Sequence, residues 1–190
     1  MSQKLCILAI SGSTRQQSSN HQLIRAIAEL AASVADVQLF EGLTDIPHFN
    51  PDFDNENPPE AVTAFRMQLA KADAILICTP EYAIGVPGTL KNAIDWTVSS
   101  MEFSNKPVAL ITAGTSGVKA HASLLGTLLM IESKIAVDAQ LVISAVKTKI
   151  NQEGMITHKE TMEKVQQLIQ ALTAVIKGED IPMMPPASLF

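Results

Sequence analysis

The sequence predicts an α/β fold: five parallel strands in one sheet, covered by helices on both faces, in the doubly wound order 2-1-3-4-5. Three observations predict it. Short apolar runs and helix-spaced segments alternate as β-α five times along the chain. The runs are apolar almost throughout, as strands buried on both faces must be. The 190 residues are 47% hydrophobic and 17% charged, with no internal repeat or linker, which suits one sizeable core. The chain therefore reads as a single domain over 1–190, with 180–190 as a C-terminal tail. The strand order follows from the number and regularity of the units, joined by right-handed crossovers.

Each element has its own signal. Residues 5–10, LCILAI, are the first strand. From 19 to 34, Leu23, Ile24, Ile27, Leu30 and Ala31 fall on one helical face. Residues 37–40 are a short second strand, followed by a Pro- and Asp-rich loop, TDIPHFNPDFDNENPP. A helix over 60–71 starts behind Pro58 and Pro59. Residues 74–78 are the third strand, 89–99 a helix, 108–112 the fourth strand and 120–132 a Leu-rich helix. Residues 136–143 are the fifth strand. The last helix covers 160–177, and Gly178 is its stop signal. The tail, IPMMPPASLF, cannot continue a helix and is expected to dock on the body or on a second subunit.

Composition excludes several classes of function. A net charge of −5, with scattered basic residues, disfavours a nucleic-acid binder. No apolar stretch approaches the roughly 20 residues of a membrane span. The N-terminal MSQKLCILAI lacks a signal-peptide cleavage site and reads as the first strand. Cys6 and Cys78 lie in apolar runs, with no CxxC or zinc spacing. They read as buried thiols of a cytoplasmic protein, although Cys78 is worth attention near the end of its strand.

In such a sheet, ligands bind beyond the carboxyl ends of the strands, at the switch point between strands 1 and 3. The loop after strand 1, SGSTRQQSSN, crowds donors together. Ser11, Ser13, Thr14, Ser18 and Ser19 carry hydroxyls, and Gly12 lets the backbone turn or approach a ligand. Arg15 can fork onto two anion oxygens. Asn20 lies in the helix's first turn, where unpaired N–H groups and the positive dipole end favour an anion. Ser18 or Ser19 can cap the helix at the same time. Neither GxGxxG nor GxxxxGK[ST] is present, so a single mononucleotide phosphate is the natural guest.

The loop after strand 3, TPEYAIGVPGTLKNAIDW, is stiff and sharply turned by Pro80, Gly85, Pro87 and Gly88. Its backbone can face a planar ring. Tyr82, the only tyrosine, serves either ring contact or local packing; Trp96, the only tryptophan, reads as core. Glu81 is a candidate general base, but bracing the loop or an interface is the favoured role, since no second carboxylate adjoins it. The histidines His21, His48, His121 and His158 show no metal spacing, and no GxSxG elbow exists. The chemistry is therefore expected from a bound cofactor.

These residues resemble the NADPH-dependent FMN reductase family. GSTRQQSSN is similar to that family's GSxRxxSxN loop, PEYAIGVPGTLKNAIDW to its PEYNxxxPGxLKNAIDW segment, and DIPHFNPD to its DIPxxN loop. The likeness runs from Leu5 to about Ser100. It implies a flavodoxin-like three-layer sandwich, bound FMN, NADPH or NADH as electron donor, and a homodimer or homotetramer. Hydride would pass from the nicotinamide to the flavin, and then to a quinone, azo, metal-oxyanion or flavin acceptor, in ping-pong turnover.

By position, the FMN phosphate would be held by Ser13, Arg15, Ser18 and Asn20, with Ser11 in the same loop. The ring would lie along Pro80, Glu81, Tyr82 and Ala83, with Gly114 closing the third side. Two departures stand out. Ala83 replaces the family's usual asparagine, and the loop TAGTSGVKAHASLL after strand 4 lacks the usual paired glycines and downstream arginine. They leave room for a non-catalytic member with weakened flavin binding. A flavodoxin-like electron carrier is a further alternative, disfavoured by the absence of a concentrated acidic stretch.

Overall fold

A computed structural model describes residues 4–15, 17–151 and 153–187. The elements are β1 (Leu5–Ser11), α1 (Ser19–Ala31), β2 (Ala35–Leu39), α2 (Glu60–Lys71), β3 (Ala74–Thr79), α3 (Gly88–Asp95), β4 (Val108–Ala113), α4 (Val118–Met130), β5 (Gln140–Ile143) and α5 (Lys159–Lys177). The sheet has five strands in the order β2-β1-β3-β4-β5, every pair parallel. This is the expected flavodoxin-like order. Right-handed crossovers put α1 on one face and α2, α3 and α4 on the other; α5 packs beside α1.

Every residue of β3 and β4 is buried, which is why these segments read as unbroken apolar runs. Fully burying one such Ile or Leu contributes about 1.5–3 kcal/mol. Trp96, Phe65 and Phe103 are the largest fully buried side chains. Phe40 meets Phe65 at 4.8 Å between ring centroids, and Phe49 meets Trp96 edge-on at 5.0 Å. Trp96 is thus a core residue, as its place in a helical segment suggests. Its Nε1 donates to Pro47 O at 2.8 Å.

The differences from the sequence reading lie at element ends. The fifth strand was expected over 136–143, but Val137–Ala139 is a 3-10 turn and the strand begins at Gln140. The reason lies in the tail. Ala136 pairs antiparallel with Met183, Val137 N donates to Pro182 O at 2.9 Å and Met184 N to Ile135 O at 2.8 Å. Hydrogen bonds that would extend β5 go to the tail instead. So the tail docks on the body of its own chain through Pro182, Met183 and Met184; residues 188–190 lie outside the described residues. Helix α3 ends at Asp95 rather than 99, and α4 starts at Val118 rather than 120.

The register fixes where function can sit. Ser11 is opposite Cys78, Thr79 opposite Thr112, and Ala113 opposite Ile143. The carboxyl ends of β1, β3, β4 and β5 therefore lie side by side, and the loops leaving them form one rim.

Candidate active site

The loop after β1 is shaped by its own hydroxyls. Ser11 Oγ donates to Ser13 O at 3.1 Å and accepts from Ser13 N at 3.2 Å. Ser13 Oγ accepts from Arg15 N at 3.4 Å. Ser18 is the N-cap of α1, its Oγ accepting from Asn20 N at 3.1 Å. Gly12 makes the turn possible: its N–H donates to Cys78 O at 2.8 Å, and a Cβ there would lie 2.2 Å from Thr79 Oγ1. Any side chain would push the loop off β3.

A cavity of about 290 Å³ opens beside this loop, near the small end of ligand sites. Ser13, Arg15, Ser18 and Asn20 line one side, and Pro80, Tyr82 and Gly114 another. Seven predicted site residues thus meet in one space. The other three do not line it. Ser11 is spent bracing the loop, and Glu81 and Ala83 serve the neighbouring turn.

Asn20 is 3% exposed. Its Nδ2 donates to Ala113 O at 3.3 Å, tying α1 to the end of β4. That carbonyl only accepts, so the amide must face it with its NH2 end. Oδ1 is left buried without a hydrogen-bond partner. A buried polar atom left unpaired costs about 1–3 kcal/mol, so the site fits a ligand that brings a donor to it. The clamp's charge is equally specific. Among the described residues the lining holds two cations, Arg15 and Lys147, and no carboxylate, in a chain with 14 Lys+Arg against 19 Asp+Glu.

Glu81 has the bracing role. Its Oε2 accepts from Lys119 N at 2.9 Å and Ala120 N at 2.8 Å, capping α4 from outside its own helix. The next four residues form a tight turn: Tyr82 N donates to Gly85 O at 2.8 Å and Gly85 N to Tyr82 O at 3.0 Å. Ala83 and Ile84 both have positive φ, 49° and 69°. Asparagine tolerates that region better than alanine, and a β-branched residue tolerates it poorly. Ile84 at this tip is 70% exposed and Tyr82 55%.

The motif downstream has a structural job. Asn92 Oδ1 accepts from Phe49 N at 2.7 Å and its Nδ2 donates to Pro47 O at 2.9 Å. With Trp96 on the same carbonyl, the KNAIDW segment latches the DIPHFN loop and does not reach the cavity.

Sequence reasoning missed Gln17 and the stretch 145–148, which line the cavity; Thr115, beside Gly114, lines it too. The loop after β5 returns over the end of β4. Val146 N donates to Gly114 O at 3.1 Å and Ala145 N to Thr115 O at 3.2 Å. The available signal was its position after a strand's carboxyl end; its approach to α1 is tertiary. Cys78 is fully buried, and burial pushes its thiol well above the ordinary range, so it is no nucleophile. His121 is buried too: Nδ1 lies 3.0 Å from Thr112 Oγ1 and Nε2 2.6 Å from Gln140 Oε1. Among the described residues no His/Cys/Asp/Glu group could hold a metal ion, and no helix is long and apolar enough to cross a membrane.

Residues 5–148 match the family described as NADPH-dependent FMN reductase. An NAD(P)H-dependent FMN reductase of Pseudomonas aeruginosa is 34% identical over 177 residues, 90% of this chain and 95% of the relative. A 2-hydroxy-1,4-benzoquinone reductase of a Burkholderia species is 31% identical over 183 residues, 93% and 99% of the two chains. Among solved structures, the flavoenzyme NAD(P)H:(acceptor) oxidoreductase FerB of Paracoccus denitrificans aligns with a TM-score of 0.76 at 26% identity, over 92% and 98%.

Proposed function

The chain belongs to the NADPH-dependent FMN reductase family, and from that premise we propose that it is an FMN-dependent NAD(P)H oxidoreductase whose cavity at the start of α1 holds the flavin. The observation that carries the placement is the buried, unpartnered Oδ1 of Asn20 in a cavity that concentrates cations. FMN held there would supply the redox chemistry between a reduced nicotinamide and a small acceptor.

The protein's part is binding and orientation. Arg15, the Ser13 hydroxyl and the α1 N-terminus take the phosphate. Asn20 adds a second role to the phosphate contact its motif position implies. Nδ2 gives one of its two N–H groups to Ala113 O and keeps the other for a phosphate oxygen, while the unpaired Oδ1 is an acceptor that suits a ribityl hydroxyl. Pro80 and Tyr82 offer apolar surface to the ring. Among the described residues no histidine or carboxylate lines the cavity, in keeping with a hydride step that asks no acid or base of the protein.

The acceptor is read as a quinone, by likeness to the Burkholderia relative. We also infer a homodimer or homotetramer in the cytoplasm. Exposed Val98, Met101 and Met130 support the former, and two free cysteines the latter. The test is anaerobic addition of NADPH or NADH to the FMN-loaded protein, followed by benzoquinone. Bleaching and then return of the flavin absorbance is expected. A flavin that neither donor bleaches overturns the reductase reading; one that bleaches but passes nothing to quinone points to an electron carrier.

A further inference from the structure

We propose that Lys147 is a second phosphate-binding cation, which makes the site selective for the phosphorylated flavin over riboflavin. This rests on the FMN reading above. Lys147 lines the same cavity as Arg15 and Ser18. It also borders a neighbouring depression, formed with Ser19, Gln22 and Asn151, on the first turn of α1. Ser19 is common to both spaces, so Lys147 stands over the helix start, where an anion is favoured by unpaired N–H groups and the dipole.

Its backbone is fixed. Ala145 takes a left-handed conformation, φ 51°. Thr148 N and Oγ1 both donate to Ala145 O, at 2.9 and 2.8 Å, and Lys149 N donates to Val146 O at 3.0 Å. The turn is laced to the β4 loop through Val146 N and Gly114 O. A non-glycine residue held at positive φ is tolerated only where the surroundings over-determine it. The turn thus presents Lys147 from a rigid base. Its ammonium makes no ion pair among the described residues. With Arg15 it gives the cavity two positive charges, matching a terminal phosphate of nearly two negative charges at neutral pH. The buried Oδ1 of Asn20 is the independent sign that this cavity is built for a ligand.

The test measures equilibrium binding of FMN and of riboflavin by flavin fluorescence quenching, in wild type, Lys147→Gln and Lys147→Arg, at low and high salt. Wild type should prefer FMN. Lys147→Gln should weaken FMN about tenfold, the low end for a charge-assisted bond at an exposed site. It should leave riboflavin unchanged and flatten the salt dependence; Lys147→Arg should restore both. Equal weakening of the two flavins, or no change in either, overturns the proposal while the FMN reading stands. A raised KM for NADPH with unchanged FMN affinity would assign Lys147 to the nicotinamide cofactor and overturns it too. If wild type binds FMN no better than riboflavin, the phosphate site itself fails, and Lys147's role with it.

Discussion

The side-chain amide of Asn20 has two ends with separate tasks. Nδ2 ties α1 to Ala113 O, and Oδ1 waits for a donor. Arg15 has one task, to meet negative charge. The two residues should therefore separate in a binding assay. Arg15→Ala should weaken FMN by about 1.5–3 kcal/mol, the scale of a hydrogen bond to a charged group, and spare riboflavin. Asn20→Ala should weaken both flavins, riboflavin by about 0.5–1.5 kcal/mol for a neutral bond because both carry the ribityl hydroxyls, and FMN by more because the second N–H of Nδ2 is lost to the phosphate. Loss of FMN alone in Asn20→Ala would confine that residue to the phosphate clamp. His121 offers a second prediction at this scale. Gln140 Oε1 can only accept, so Nε2 carries the proton and Nδ1 accepts from Thr112. Burial pushes its pKa below the ordinary 6.5, with the Gln140 bond opposing in part. The native state then binds a proton less readily than the unfolded chain. Stability is full above about 6.5 and falls as the pH drops from there toward the depressed native value. Urea midpoints at pH 7.5 and 5.5 should show this fall in wild type and a smaller one in His121→Leu.

At the scale of elements, the turn from Tyr82 to Gly85 holds Ala83 and Ile84 at positive φ, 49° and 69°. Left-handed backbone costs an ordinary residue about 1–2 kcal/mol, and asparagine much less. Ala83→Asn should stabilise the protein by up to about 1 kcal/mol, raising Tm by about 2–4 °C for a chain of this size. A lower melting temperature would show that the turn's strain lies elsewhere. The latch is the complementary case. Asn92→Ala removes three bonds to the loop after β2 and leaves Phe49 N and part of Pro47 O unpaired. It should destabilise by about 1–3 kcal/mol with flavin affinity unchanged, because the latch lies outside the cavity. The family likeness is thus carried by residues with different jobs: Ser13, Arg15 and Ser18 face the ligand space, and Asn92 and Trp96 hold two loops together.

At the scale of the whole molecule, the sheet was legible because burial on both faces writes strands as unbroken apolar runs, as in AILICT and VALITA. What could not be read came from partners distant in sequence. The start of α4 depends on Glu81, 38 residues before the amide of Lys119 that it caps. The start of β5 depends on the tail, which takes hydrogen bonds at 135–137. The candidate site was legible where a loop's own composition shows a need for an anion, as at Ser13, Arg15 and Ser18. Lys147 was not, because its loop becomes part of the site only by folding back over Gly114. A larger cavity of about 590 Å³, lined partly by Ser133, Met183 and Met184, lies under the tail and is the rival space for a flavin to be tested. Hydrogen–deuterium exchange with and without FMN distinguishes them most directly. The account predicts slowed exchange in 12–20, 80–85, 114–116 and 144–148, with 129–135 and 178–186 unchanged. Protection confined to the tail and the end of α4, with none at the start of α1, would contradict it.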